Sequence, residues 1–246
     1  MAKASWRIAP QGDCCLMVEF GQKIDHETNL RARALAQYLI DHPLPGVLDV
    51  VPAFTTVAIH YRPEAFAEPA GPELPYDRIA ARVEQVLHAG VERAAPVSRS
   101  VEIPVCYGGE FGPDLEEVAR VRKLDPDEVV VIHSRSPHVV YMLGFAPGHP
   151  YLAGLDERLA MTRRATPRLK IPPGTIAIAG GQSVVYPLET PGGWNLIGRT
   201  PLRVFTPETD PPCLLRPGDA VHFVPITIEQ YEAQRIAEQE AAAERA

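Results

Sequence analysis

Hydrophobic and polar positions follow two different rhythms along this chain, and the change falls near residue 100. Residues 13–20 (DCCLMVEF) form an apolar run closed by Gly21, the signature of a strand. Asp25 then stands as a helix N-cap, and Leu30, Ala34, Leu35, Tyr38 and Leu39 recur at helical spacing before Pro43. After a Pro45-Gly46 turn, residues 47–51 and 55–61 are rich in β-branched side chains and predict two strands. A second helix is expected over 77–89, with Ile79, Val83, Val86 and Leu87 on one face and Gly90 as its stop. The resulting β-α-β-β-α order predicts a ferredoxin-like α/β sandwich over residues 1–93. Residues 92–100, with Ala-Ala-Pro and Ser-Arg-Ser, form the expected linker.

The second half opens with a strand at 101–106 and a helix after Pro113-Asp114, with Leu115, Val118, Ala119 and Leu124 facing inward. Asp125-Pro126-Asp127-Glu128 is a further helix start, combining a cap, a proline at the first position and a glutamate three residues after the cap. The Val-Val-Val-Ile that follows favours a strand, so local signals conflict; a short helix ending at His133-Ser134 is expected. Beyond Pro137 the helical period disappears. Short strands are predicted at 139–143, 175–179, 184–186, 194–197, 202–205 and 220–224, each bounded by glycine or proline. That density of short strands implies a closed or nearly closed barrel, placed over 101–226. Residues 227–246 form a polar, alanine-rich helical tail whose last third is expected to fray. The fold class is thus α+β.

Composition alters this picture in two places. Proline reaches 26 of 246 residues, roughly twice the usual share, which makes the barrel half rich in rigid turns. The formal charge of −7 argues against a nucleic-acid partner held through phosphates. No apolar run approaches a membrane span, and residues 1–7 lack the apolar core of a signal peptide, so a cytoplasmic location is expected. Cys14, Cys15, Cys106 and Cys213 lack a C-x-x-C spacing and are expected as reduced thiols.

Three segments have the residue types of a ligand site. Gly144 to Leu152 packs two glycines and two prolines directly after a strand, a stiff loop that either receives an oxyanion or simply connects two strands. Arg158, Arg163, Arg164, Arg168 and Lys170 fall within thirteen residues, either an anion site or a solvated face. Gly180-Gly181-Gln182 reads as a hairpin turn or a pocket wall, followed by Tyr186, Glu189 and Gly192-Gly193-Trp194. Gln182 carries both donor and acceptor, and Glu189 suits a base or a cation's partner. Trp194 fits the core better than direct ligand stacking. His133, His138 and His149 are spaced by five and eleven, which matches no zinc motif, and no metal is expected. No phosphate loop of the G-x-x-x-x-G-K-[ST] type occurs, nor a G-x-S-x-G elbow, so a complete catalytic set is absent and a partner is implied.

Several longer blocks recur in order: Ile103-Pro104-Val105-Cys106-Tyr107-Gly108-Gly109-Glu110-Phe111-Gly112-Pro113, Tyr141-Met142-Leu143-Gly144-Phe145-Ala146-Pro147-Gly148, Arg163-Arg164-Ala165-Thr166-Pro167-Arg168, Ile178-Ala179-Gly180-Gly181-Gln182, Tyr186-Pro187-Leu188-Glu189, Pro191-Gly192-Gly193-Trp194 and Leu196-Ile197-Gly198-Arg199-Thr200. Together they resemble the family of 5-oxoprolinase B subunits (PxpB), also called KipI-like or allophanate hydrolase subunit 1, equivalent to carboxyltransferase subdomains C and D. The resemblance implies a cyclophilin-like barrel and ATP-dependent cleavage of 5-oxo-L-proline to L-glutamate, with ATP bound at the level of the complex. It implies as partners a C-type homologue (KipA-like, allophanate hydrolase subunit 2), an A-type homologue (LamB/YcsF-like) and a small amide or lactam substrate. Alternatives within the family are a urea-directed carboxyltransferase module and a non-catalytic inhibitor of a sensor histidine kinase. The expected reacting groups are Gln182, Tyr186 and Glu189. The expected substrate and anion positions are His133, Phe145, Gly148, His149 and Tyr151 on one side. Arg164, Arg168, Gly180, Gly181, Trp194 and Arg199 complete them. Family members usually carry an apolar residue at the position of His149, and Ala-Thr-Pro where this chain has Ala160-Met161-Thr162.

Overall fold

A computed structural model describes residues 6–67, 72–91 and 98–245. The expected absence of a signal peptide therefore falls partly, and the linker mostly, outside the described residues. The chain divides into two compact units, Met1–Val97 and Ser98–Ala246.

In the first unit, strands β1 (Arg7–Pro10), β2 (Cys15–Glu19), β3 (Val47–Pro52) and β4 (Thr56–Tyr61) form an antiparallel sheet of order β1-β2-β4-β3. Helix α1 (His26–Asp41) starts where Asp25 accepts a hydrogen bond from the Thr28 amide at 2.9 Å. It buries Ala32, Leu35, Ala36 and Leu39, while α2 (Pro75–His88) buries Ile79, Val83 and Leu87. Both apolar stripes join Leu16, Val18, Val57 and Ile59 of the sheet in one core. The β-α-β-β-α order is present, and the strand outside β2 comes from the N-terminal end, a four-residue segment (RIAP) too short to signal itself.

The second unit contains β5 (Ser100–Tyr107), α3 (Leu115–Arg122), α4 (Pro126–Arg135), β6 (His138–Leu143) and β7 (Pro150–Ala153). It continues with β8 (Arg168–Ile171), β9 (Thr175–Ala179), β10 (Gln182–Val185), β11 (Thr190–Gly192), β12 (Asn195–Arg199), β13 (Ala220–Pro225) and α5 (Ile228–Arg245). Seven strands close a barrel of order β10-β7-β6-β13-β5-β12-β9, and β8 and β11 pair separately. The barrel interior is filled by alternate residues such as Ile103, Val105, Leu152, Ile176, Ile178, Ile197 and Phe223, together with Leu115, Val118 and Val129 of α3 and α4. In α4 the capping box overrides the β-branched run: Glu128 accepts the Asp125 amide at 2.8 Å, and Val129, Ile132 and His133 bury one face.

Period-two alternation gives the barrel a second buried face. While Ile176 and Ile178 point inward, Ala177 and Ala179 join Val184, Tyr186, Trp194, Leu196 and Ile171 in a smaller cluster, with Tyr151 against it. This outer cluster floors the candidate site.

The expected strand at 202–205 does not form; Phe205 makes one bridge to Cys213. Prolines at 201, 207, 211 and 212 remove ladder donors on both sides of it. Residues 150–153, read as the end of a loop, are strand β7, because Tyr151 and Leu152 pair with Val184 and Ser183. Strands β8 and β11 also escape the sequence pattern, being three or four residues long with charge or proline. All four cysteines are free.

Candidate functional site

Gly180 and Gly181 link β9 to β10 as a two-residue hairpin turn, since Ala179 pairs with Gln182. Gly180 has φ 58°, a conformation that glycine adopts without strain. The segment after the 3-10 turn Glu157–Leu159 runs beside this hairpin and is pinned three times. The Gly180 amide donates to Met161 O at 2.6 Å, and Asn195 Nδ2 donates to Thr162 O at 2.9 Å. The Arg164 amide donates to Gly193 O at 2.7 Å. Between these anchors Arg163 holds its guanidinium 5.5 Å from the Trp194 ring centre. A groove of about 480 Å³ results, lined by Met161, Thr162, Arg163, Gly180, Gln182 and Trp194, with Ala160 and Ala179.

The arginines of the basic run have different fates. Arg158 is paired with Asp156 through bonds of 3.0 and 2.7 Å. Arg164 and Arg168, both expected to bind a ligand anion, converge instead on an internal carboxylate, Asp114. Arg164 Nη1 donates to it at 2.9 Å, and Arg168 donates through Nη1 at 2.9 Å and Nη2 at 2.7 Å. The Leu196 amide donates to the same carboxylate at 2.7 Å. Asp114 is 3% exposed, so four hydrogen bonds satisfy a buried charge. Arg163, absent from the expected site, has no carboxylate partner among the described residues.

A second cluster lies around the 144–149 loop. Phe145 takes φ 72°, a strained conformation for an aromatic residue, and its side chain is 68% exposed. Gly148 also has φ 72°, and a side chain there would collide with Phe205. His149 is buried with its ring edge-on to Phe145, Tyr151 and Tyr186 at 5.4, 5.1 and 5.1 Å. Its Nδ1 has no hydrogen-bond partner, and burial pushes its pKa down to about 4, so the ring is neutral at pH 7. Tyr151 makes an edge contact at 6.2 Å with Trp194, which lines the groove. Burial raises the pKa of both tyrosines, Tyr186 to about 12, and the nearby Arg163 charge offsets part of that rise.

Gln182, Gly180 and Trp194 therefore meet in the groove, and Phe145, His149, Tyr151 and Tyr186 continue from it through ring contacts. Besides Arg164 and Arg168, three expected residues lie apart from the groove. His133 is fully buried inside the barrel, with Nδ1 2.8 Å from the Tyr107 hydroxyl and Nε2 3.2 Å from Ser183 Oγ. Glu189 is at the surface, ion-paired with Lys170 at 3.0 Å. Arg199 lies over Phe111 at 5.7 Å, and Tyr231 also feels its charge. Arg163 itself carried no distinguishing local signal, because its neighbours lose their availability only through a carboxylate about fifty residues away in sequence. Among the described residues no group of three or more His, Cys, Asp or Glu is arranged to hold a metal, and no helix is long and apolar enough to cross a membrane.

Residues 6–215 match the family model for the carboxyltransferase domain, subdomain C and D. The chain is 46% identical to the B subunit of 5-oxoprolinase from Bacillus subtilis, over 94% of this chain and 97% of that protein. It is 43% identical to the Escherichia coli O157:H7 protein of the same name, over 87% and 93% respectively. The solved structure of TTHA0988 superposes with a TM-score of 0.74 at 37% identity over 86% of this chain, which spans only 40% of that longer protein. Kluyveromyces lactis urea carboxylase, at 20% identity and a TM-score of 0.69 over 93% of this chain and 22% of that one, shares the fold. The chain belongs to the family of 5-oxoprolinase B subunits, built from carboxyltransferase subdomains C and D.

Proposed function

We propose that this chain is the B subunit of a cytoplasmic, ATP-dependent 5-oxoprolinase, which opens 5-oxo-L-proline to L-glutamate together with A-type and C-type homologues. The near full-length identity to two proteins named as the B subunit of 5-oxoprolinase carries this reading. The groove beside the β9–β10 hairpin supports it. A lactam presents one N–H and one C=O, and Gln182 supplies the matching acceptor and donor. The aromatic wall of Trp194, backed by Tyr151, suits a small ring.

The chemistry sets what the partners must add. A lactam resists water at neutral pH; transfer of the terminal phosphoryl group of ATP to its oxygen turns that oxygen into a leaving group. ADP leaves; one water adds to the activated carbon, the C–N bond opens with a proton passing to the departing amine, and a second water cleaves the resulting acyl phosphate to carboxylate and phosphate. The groove has one unpaired guanidinium and, in Thr162, a single side-chain hydroxyl. That donor set suits a singly charged substrate rather than a metal-bound triphosphate, so we assign the nucleotide and the attacking group to the partner proteins. On this reading the isolated chain has no turnover of its own.

A host lacking its own B subunit, supplied with this gene and grown on 5-oxoproline as nitrogen source, tests the proposal. Wild type is expected to restore growth and Gln182→Ala to slow it severely. Failure of the wild-type gene, with the A-type and C-type homologues of the same source co-expressed, would remove the proposal.

A further inference from the structure

The basic run places several arginines in the segment 158–168, but three of the four are consumed internally. Asp156 takes Arg158, and Asp114 takes Arg164 and Arg168. Of these four, Arg163 alone keeps a free fork among the described residues. Its backbone is immobilised between the bonds at Met161, Thr162 and Arg164, and its guanidinium is steadied by Trp194. A guanidinium is a planar double donor that matches a carboxylate edge-on, and this one opens onto a groove of about 480 Å³ whose other polar side chains are neutral.

We infer that Arg163 binds the carboxylate of the substrate and sets specificity for a lactam acid over a neutral amide, with Asp114 as the positioning residue that holds its segment. The inference rests on the lactam reading above and deepens it. Asp114 acts at a distance: by binding Arg164 and Arg168 it fixes both flanks of the 164–168 segment to β12, through Leu196. It also keeps those two arginines from competing for the ligand anion. Urea and other neutral amides offer nothing to Arg163, so the same groove discriminates by charge. The neutral analogue forgoes the charge-assisted double hydrogen bond to Arg163, and that lost bond sets the preference.

The test uses the complex assembled with its A-type and C-type homologues, two ligands and two readouts. The ligands are 5-oxo-L-proline and 5-oxo-L-prolinamide, which keeps the ring and replaces the carboxylate with a neutral amide. Calorimetric binding and steady-state turnover are both measured. For Arg163→Ala, affinity for the acid is expected to fall about 10- to 100-fold, the scale of a charge-assisted double hydrogen bond. Affinity for the prolinamide is expected to change less than about threefold on the same basis. Arg163 is exposed, so this variant folds, and Arg163→Lys is expected to restore part of the acid preference. Asp114→Asn should lower the ratio of acid to amide affinity; an equal loss for both ligands would mean a purely structural role and overturn the positioning part. Unchanged acid affinity in Arg163→Ala overturns the carboxylate assignment, as does absence of acid binding to the wild type. Wild-type binding of the acid without its turnover would refute the reaction proposed above while leaving the carboxylate site standing.

Discussion

Removing the Asp114 carboxylate is the sharpest perturbation of the barrel unit, and its effect can be worked from four bonds. In Asp114→Ala the Leu196 amide, buried in β12, loses its acceptor; an unsatisfied buried donor costs about 1–3 kcal/mol. Breaking a fully buried ion pair costs roughly 3–5 kcal/mol, because the surviving charge is stranded. Here the stranded arginines retain access to water, their side chains being 38% and 27% exposed, so their share falls to about 1–2 kcal/mol. The sum is about 3 kcal/mol. Asp114→Asn keeps one acceptor oxygen for the Leu196 amide but removes the charge and puts an N–H2 group where the other oxygen accepted from Arg164 and Arg168, so about 2 kcal/mol is expected. The assay is urea denaturation followed by Trp194 fluorescence in a Trp6→Phe background, which isolates the barrel unit because the chain's other tryptophan lies in the first unit. With a slope of about 2 kcal/mol per molar urea, the midpoint should drop by ~1.5 M for alanine at unchanged slope. A shift below ~0.3 M on that scale would refute the view that Asp114 is a satisfied, structure-bearing charge.

Two further outcomes follow from the same unit. Burial lowers the pKa of His133, His138 and His149, the latter two to about 4, so the folded state stays neutral where the unfolded chain takes up protons. Their contribution is complete above pH ~6.5 and is lost as pH falls toward 4, at up to roughly 4 kcal/mol per pH unit for three groups. Urea midpoints of the barrel unit that stay level from pH 7 to 5 would contradict neutral burial. Gly112→Ala would place a methyl group 2.0 Å from Ile197 O and 2.7 Å from Gly198 N, backbone atoms held by the ladders of β12 to β5 and β9. The strand must move, so a loss of about 3 kcal/mol is expected by the same urea assay, and a wild-type midpoint would show that the loop yields instead.

Much of the architecture was legible because its causes are local. Asp25 and the Asp125–Glu128 box announced two helix starts, and the spacing of Ile79, Val83 and Leu87 announced a buried face. Short strands bounded by glycine and proline announced the barrel, while Gly180-Gly181 was open between a hairpin turn and a pocket wall, and the structure makes it a hairpin turn whose Gly180 also lines the groove. Strands β1, β7, β8 and β11 were not legible, since three or four residues carry too little periodicity. The expected strand at 202–205 had the right side chains but lacked the neighbouring backbone donors that a ladder needs.

For the site, the chain by itself determined which chemistry was on offer: a run of arginines, a glutamine after a glycine pair, an aromatic loop with one histidine. Only the tertiary structure decided who remains free to use it. Arg164 and Arg168 are spent on Asp114, Glu189 on Lys170, and His133 on Tyr107 and Ser183 inside the barrel. Arg163, chemically identical to its neighbour, keeps its fork toward the groove. Residue type fixes what a side chain is able to bind, whereas burial and partner geometry, set by contacts far apart in sequence, decide what it does bind.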